Sequence, residues 1–597
     1  MTLRRDFLIK APLGLLAVTQ AAGAQTGQAA PPGAPPTFGA TAAAGPEVTP
    51  ATFAEAEKLM QVQLTPAQRA MAAGNWRVSM AALQERRTGP HKLAIADGVA
   101  PAHVWRPLLP GATAPRQLAK FSRSKRAGGQ LPLPVRDEDI AYATVTQLSR
   151  WIAARVLSSE RLTTIYLERI GRLDGKLRSV ITLTREHAIE RARLADREIA
   201  AGKYRGSLHG IPYGVKDLLD TAGIATTWGA EPMRNNVPAH DSAVVARLNA
   251  AGAVLIAKLS LGALALNDIW FGGQTMNPWL PEEGASGSSA GPGAAIAAAL
   301  VAFSVGSETG GSIVSPSMRC GITGLRPTYG RVARSGAMTL CWSLDKLGPM
   351  TRSVEDAMLV LAAINGADAM DAASVEVPLA FDAGARVAGL KIGYFADWMN
   401  EAPAVDVDRA ALAMAVRAGM RAVPVSLPDW PYQSLNTVLF AEAAAAFERW
   451  TLDGRMDQLK VQVPDAWPNL LRQARFLSAV DFVQADRLRR MVALEMARIF
   501  KEVDVLLVPS LRDEMLTISN FTGHPSLTLR TGTVEVGQAR SDWAPDPARP
   551  APTFSPARRV PHGVTLIGRL FDEGVMAAVG LALERAAAVN GERPPGF

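Results

Sequence analysis

Cysteine is nearly absent from this 597-residue sequence: Cys320 and Cys341 are the only two. One pair cannot form the disulfide framework of a chain this long. Their glycine-rich or apolar neighbours mark both as buried free thiols. Histidine is scarce too, with His91, His103, His187, His209, His240, His524 and His562 making up the total. That leaves few candidates for the base that histidine usually supplies. Of these, His209 before Gly210-Ile211-Pro212 and His524 before Pro525 sit in turn settings. The formal charge is +8, yet there is no dense Lys/Arg run with interleaved aromatics. The excess therefore reads as solvated surface, and no nucleic-acid partner is expected. Internal repeats are absent as well.

What is present is a large core: 48% hydrophobic and 20% charged residues fit a globular enzyme with an extension. The N-terminus, Thr2-Leu3-Arg4-Arg5-Asp6-Phe7-Leu8-Ile9-Lys10, has the form of a twin-arginine export signal. The apolar stretch Ala11 to Val18 follows, then Ala22-Gly23-Ala24, a small-residue cleavage pattern. That stretch is far below the ~20 residues of a membrane span. The expectation is a signal peptide over 1–24 and a periplasmic or secreted mature protein. An Ala/Pro/Gly-rich linker over 25–48 comes next, then an N-terminal extension over 49–137, then a catalytic domain over 138–597.

Thr49-Pro50 and Thr65-Pro66 predict helix starts, with proline in the first turn. Leu59, Met60, Met71, Trp76, Met80 and Leu83 offer these short helices an apolar face. In the Pro-rich stretch from Pro107 to Arg136, Ser122-Arg123-Ser124-Lys125 fits the Ser-x-x-Lys pattern of penicillin-recognising enzymes. It lies in a basic, turn-rich segment with no apolar helix to hold it, and is set aside. From Glu138 the chain becomes regular. Helices are predicted over 145–170, with a new start at Ser158-Ser159-Glu160, and over 187–201, 242–251, 409–420, 481–500 and 574–589. Strands are predicted over 211–215, 254–257, 391–395, 503–508 and 564–566. This alternation predicts an α/β core, a large central sheet covered by helices on both faces.

The most distinctive stretch runs from Gly284 to Gly330. It holds Gly287-Ser288-Ser289-Ala290-Gly291 and Gly306-Ser307-Glu308-Thr309-Gly310-Gly311-Ser312, separated by an alanine-rich segment of helical character, Ala294 to Phe303. A serine among glycines can present its hydroxyl beside several free backbone N–H groups, as acyl transfer requires. Thr309-Gly310-Gly311-Ser312 is the stronger nucleophile candidate. A rival is Ser289, because Gly287 to Gly291 fits G-x-S-x-G, the nucleophile elbow of a serine esterase. That elbow needs a strand running into it, and Asn277 to Gly284 reads as a turn. Serine needs a base. Lys216, ending Gly210-Ile211-Pro212-Tyr213-Gly214-Val215-Lys216-Asp217, qualifies if burial lowers its pKa. Lys258, in Val254-Leu255-Ile256-Ala257-Lys258, has a similar setting, so lysine alone does not decide.

Taken together, Lys216 in GIPYGVKD, Ser288 in GASGSSAG and Ser312 in GSETGGSIVSPS resemble the amidase signature family. So do Asn277-Pro278-Trp279, CGITGLRPTYGRV (320–332), SLDKLGPMTRSVEDA (343–357), DVLLVPS (504–510) and NFTGHPSLTL (520–529). The resemblance covers about residues 138–597. It implies the amidase signature fold and a Ser–cis-Ser–Lys triad: Ser312 as nucleophile, Ser288 as proton bridge, Lys216 as base. It also implies an oxyanion hole from Thr309, Gly310, Gly311 and Ser312, with Ser289 and Glu308 in support. The substrate implied is a small-molecule amide, with ester or carbamate cleavage by the same chemistry, without metal or cofactor, in a monomer or homodimer. Glu308 stands where aspartate is frequent and Val314 where arginine often follows, which alters the polar network around the nucleophile loop. An A-subunit-like glutamyl-tRNA amidotransferase component is the alternative within the family. Trp228, Trp270 and Phe271 are candidates for an apolar acyl pocket, or equally for core packing.

Overall fold

The computed structural model describes residues 43–61, 63–79, 104–115, 120–125, 132–543, 548, 550–589 and 591–597. The expected signal peptide, most of the expected linker, Met80 and Leu83 lie outside these. The chain divides into two compact units, Met1–Ala96 and Asp97–Phe597.

In the first unit, helices α1 (Pro50–Met60) and α2 (Pro66–Ser79) start where the Thr-Pro pairs predict. The Thr49 hydroxyl accepts from the Thr52 N–H at 3.3 Å, with Pro50 at the first helical position where no donor is missed. Arg69 bridges to Glu57 at 2.7 Å, and Phe53 meets Trp76 edge-on. The expected apolar face is not buried, since Leu59 is 62% and Met71 78% exposed. Two short helices have too little surface to enclose it.

The second unit is built on one eleven-stranded mixed sheet. In chain order its strands are β1 (Val180–Leu183), β2 (Pro212–Lys216), β3 (Val254–Leu259), β4 (Phe303–Glu308), β5 (Thr323–Arg326) and β6 (Lys346–Thr351). They continue with β7 (Lys391–Tyr394), β8 (Arg421–Pro424), β9 (Val505–Pro509), β10 (Ser526–Gln538) and β11 (Thr553–Gly568). Their spatial order is β8-β7-β9-β11-β10-β5-β6-β4-β2-β3-β1. Every residue of β2, β3, β4, β5, β6 and β9 is buried, so both faces of this part of the sheet are covered. The covering helices include α3 (Val145–Ala153), α4 (Ser159–Leu177), α5 (Arg185–Ala200), α6 (Ala243–Ala250) and the buried α7 (Ala290–Ala297). Farther along come α8 (Val314–Cys320), α9 (Val354–Ile364), α10 (Ala479–Glu502) and α11 (Glu573–Ala587). The new start at Ser158 is real: its hydroxyl caps α4 by accepting from Arg161 N–H at 3.1 Å.

Two sequence expectations need correction. The apolar segment Ala294 to Phe303 is not one helix, because α7 ends at Ala297 and Phe303 already opens β4. Short apolar runs carry no period that separates a buried helix from a buried strand. The stretch before the first serine cluster is not merely a turn: Leu280–Gly284 pairs with Met276–Asn277 in a separate two-stranded ribbon.

The arrangement that matters most is that β2 and β4 are parallel neighbours, with Tyr213 opposite Phe303 and Val215 opposite Val305. Both therefore deliver their C-terminal ends to the same edge. In open α/β sheets that edge is where ligands bind. Lys216 closes β2, and the loop after Glu308 closes β4.

Candidate active site

Lys216 is fully buried, and its Nζ is surrounded by serines. It lies 2.7 Å from Ser288 Oγ, 3.0 Å from Ser289 Oγ, 2.9 Å from Ser307 Oγ and 3.5 Å from the Ser307 carbonyl oxygen. No carboxylate pairs with it among the described residues. Burial pushes the Lys216 amine well below its ordinary value, and the more distant Asp345 and Glu308 charges do not offset this. Lys258, its rival, is held otherwise. Its ammonium pairs with Asp217 at 3.0 Å and donates to Thr226 Oγ1 at 2.6 Å. The structure thus separates two lysines that sequence left equivalent.

Ser288 follows a cis peptide bond after Gly287 and is 1% exposed. Ser289 precedes α7 with its hydroxyl turned into the sheet. That hydroxyl donates to the Ser307 carbonyl (3.1 Å) and accepts from the Ser307 N–H (3.2 Å). It spans the edge of β4 and is fully engaged. The Ser289 N–H donates to the Ser312 carbonyl at 3.1 Å, which ties the two serine clusters together. The Ser312 side chain is half-buried, and among the described residues its hydroxyl forms no protein hydrogen bond.

The turn between β4 and Ser312 is shaped by two anchors. Thr309 Oγ1 donates to Asp345 at 2.6 Å, and Asp345 also accepts the N–H groups of Leu340 and Cys341. Glu308, fully buried, accepts from Ile313 N–H at 2.7 Å and Val314 N–H at 2.9 Å, from Asn520 Nδ2 at 2.9 Å and from the Arg326 guanidinium. Burial would raise the Glu308 carboxyl, but Arg326 and the Val314 N–H outweigh it and hold it below the usual carboxylate range. The longer acid at 308 is thus satisfied, with Arg326 from β5 as its guanidinium partner. Gly311 has φ +126°, a region closed to side chains, so the turn needs glycine there. The N–H groups of Gly310, Gly311 and Ser312 find no protein acceptor among the described residues.

Beside this turn lies a cavity of about 490 Å³. Ser307 and Thr309 open onto it, with Asp220, Asp241, Arg334 and Trp342 among its other walls. Trp228, Trp270 and Phe271 do not line it. Trp228 stacks on Trp450 at 5.9 Å, while Trp270 donates to the Arg178 carbonyl and packs edge-on against Phe271. Of the histidines, His240 lines this cavity. His209 faces Glu198, and buried His524 contacts Thr522, its imidazole pushed down to about 3 by burial with Arg326 nearby. Cys320 and Cys341 are free and buried, as expected. Ser307 is the site residue that sequence reasoning missed. Its only signal is its place between Gly306 and Glu308, at the end of a strand that the sequence did not reveal.

A family model described as Amidase matches residues 161–576. A putative amidase AmiD of Mycobacterium tuberculosis is 35% identical over 477 residues, which is 77% of this chain and 98% of the relative. The A-subunit of the glutamyl-tRNA(Gln) amidotransferase of Geobacter sp. is 34% identical over 479 residues, covering 75% and 98%. Among solved structures, the peptide amidase from Stenotrophomonas maltophilia superposes with a TM-score of 0.64 at 30% identity, covering 76% of this chain and 98% of that one. A mixed-sheet α/β enzyme that hydrolyses amides is the class that fold and matches define together. The chain belongs to the amidase signature family.

Proposed function

We propose that the chain is an exported serine amidase that cleaves a small carboxylic amide to acid and amine through an acyl-enzyme on Ser312. One observation carries the reading: the unpaired, buried Lys216 Nζ, 2.7 Å from Ser288 Oγ. A neutral amine has two N–H groups and one lone pair, which suits donation to Ser289 and Ser307 and acceptance from Ser288. Ser288 passes its proton to Lys216 as it takes one from Ser312, whose oxygen attacks the amide carbonyl. The N–H groups of Thr309, Gly310, Gly311 and Ser312 receive the developing oxyanion; losing one such donor costs about 2.7–4 kcal/mol. The proton returns through Ser288 to the leaving amine, and water then releases the acid from Ser312. Glu308 supports the turn and Ser289 supports Lys216. No metal or cofactor enters this chemistry, and esters or carbamates fit the same sequence of steps.

The cavity beside Ser307 and Thr309 is our candidate for the substrate's seat, which makes the Trp228, Trp270 and Phe271 cluster second choice. The working unit we propose is a monomer or homodimer without nucleic acid. An amidotransferase component is the other reading the relatives support, and the twin-arginine pattern of the N-terminus argues against it, because tRNA is cytosolic. An esterase using Ser289 is disfavoured by that hydroxyl's bonds to both backbone groups of Ser307.

Ser312→Ala is expected to abolish labelling by a fluorophosphonate. Labelling that survives there but vanishes in Ser289→Ala would move the nucleophile to the first cluster. For export, a reporter fused to residues 1–30 is expected in the periplasm or medium, and a cytosolic reporter would overturn that part of the proposal.

A further inference from the structure

β10 and β11 are longer than the sheet they belong to. Their inner residues are buried, whereas most of Val534–Gln538 and of Phe554–Arg559 is exposed, so the hairpin runs on beyond the sheet. Ala539 N–H closes onto the Pro552 carbonyl at 2.8 Å. Past that point the chain turns back onto the segment that leads into the first serine cluster. Arg540 gives its backbone N–H (2.8 Å) and its guanidinium (2.6 Å) to the Glu283 carboxylate, which is 2% exposed. The Asp542 carboxylate accepts from Arg319 at 2.8 Å and from the Ser286 hydroxyl. The Asp542 carbonyl accepts from Asn267 Nδ2 at 3.3 Å, and Trp543 Nε1 donates to Asp268 at 3.3 Å.

We propose that this hairpin tip is a positioning device for the serine cluster, with Asp542 the positioning residue that acts through Ser286 on Ser288. Ser286 lies two residues before Ser288, is 1% exposed and has φ +64°. A serine adopts that left-handed backbone only when its surroundings hold it, and the Asp542 carboxylate is the group that does so. Downstream, the Ser289 N–H bond to the Ser312 carbonyl fixes the other end. The loop carrying Ser288 is therefore pinned on both sides, which keeps its hydroxyl against Lys216. Glu283, bound to Arg540 at one side and Asn277 at the other, anchors the start of the same loop.

This inference rests on the roles proposed for Ser288 and Ser312. The test measures fluorophosphonate labelling of Ser312, kcat and KM on one amide, and thermal unfolding, in Asp542→Ala, Asp542→Asn, Ser286→Ala and the Ser286→Ala/Asp542→Ala pair. Small displacements at a reacting group cost up to about 100-fold. Asp542→Ala and Ser286→Ala are each expected to slow labelling and kcat roughly tenfold with KM within about twofold. Asp542→Asn keeps an oxygen acceptor for Ser286 and is expected to recover part of the loss. The double variant should be no slower than Asp542→Ala alone, because Ser286→Ala then has no link left to remove. Wild-type protein labelled at Ser312, together with singles of full rate or losses that multiply in the pair, would overturn the positioning role alone. Wild-type protein that is not labelled at Ser312 would overturn the proposed mechanism and this inference with it. Ser286→Ala removes one oxygen only and keeps the test open should Asp542→Ala fail to fold.

Discussion

Replacing Lys216 by methionine tests the central claim, that this lysine is neutral in the folded enzyme. Methionine has nearly the same length and no charge. The unfolded chain holds the lysine protonated below about 10.5, whereas burial drives the folded-state value well down. On the claim under test, folding at neutral pH releases a proton from this group. Each pH unit over which the unfolded chain is protonated and the folded amine is neutral costs the wild type about 1.4 kcal/mol. Against this, the neutral amine's hydrogen bonds return about 1 kcal/mol each. The sign follows: wild-type stability relative to Lys216→Met rises with pH. Equilibrium urea unfolding of both proteins at pH 7, 8 and 9 should give a difference that grows by about 1.4 kcal/mol per unit. Labelling at Ser312 should be lost in the variant at every pH. A difference flat across pH 7 to 9 would refute the reasoning, because it would mean that the folded protein keeps Lys216 charged.

Two neighbouring glycines should behave differently. An alanine Cβ at Gly311 meets Leu516 Cδ2 at 3.0 Å on a backbone with φ +126°, so Gly311→Ala should lose about 1–3 kcal/mol, readable as a lowered Tm and slowed labelling. At Gly310 no atom lies within 4 Å of such a Cβ, and Gly310→Ala should unfold within about a degree or two of wild type. Asp268 offers a pH signature: burial first, then the Asp542 charge, pushes its carboxyl up to about 6. Between 3.8 and that value the folded state binds the extra proton, so stability falls as pH rises through this window. Asp268→Asn should raise Tm at pH 7.5, by at most about 3 kcal/mol of stability, and the gain should fade towards pH 4.

The buried strands with unbroken apolar runs, at Val254 and Val505, were readable from sequence, as were the helix starts at Thr49, Ser158 and Ser242, where a hydroxyl caps the first turn. β4, β5 and β6 were not. They carry glycine, proline, lysine and glutamate, and they are strands because they pair on both edges inside the sheet, a property of neighbours rather than of propensity. Ser307 stayed hidden for the same reason, since it belongs to β4. The expected apolar face of α1 and α2 failed because nothing in their own sequence says whether a partner surface exists.

By itself the sequence determined the chemical inventory: two glycine-flanked serine clusters, two lysines at strand ends, and motifs whose order points to one family. The tertiary structure decided which lysine stands beside the serines. Parallel pairing of β2 with β4 brings Lys216 to the Ser307 edge, seventy-two residues from Ser288 along the chain, while Asp217 claims Lys258. Burial then does what no local pattern can: it removes water from one amine and leaves it no countercharge, which pushes its pKa well down.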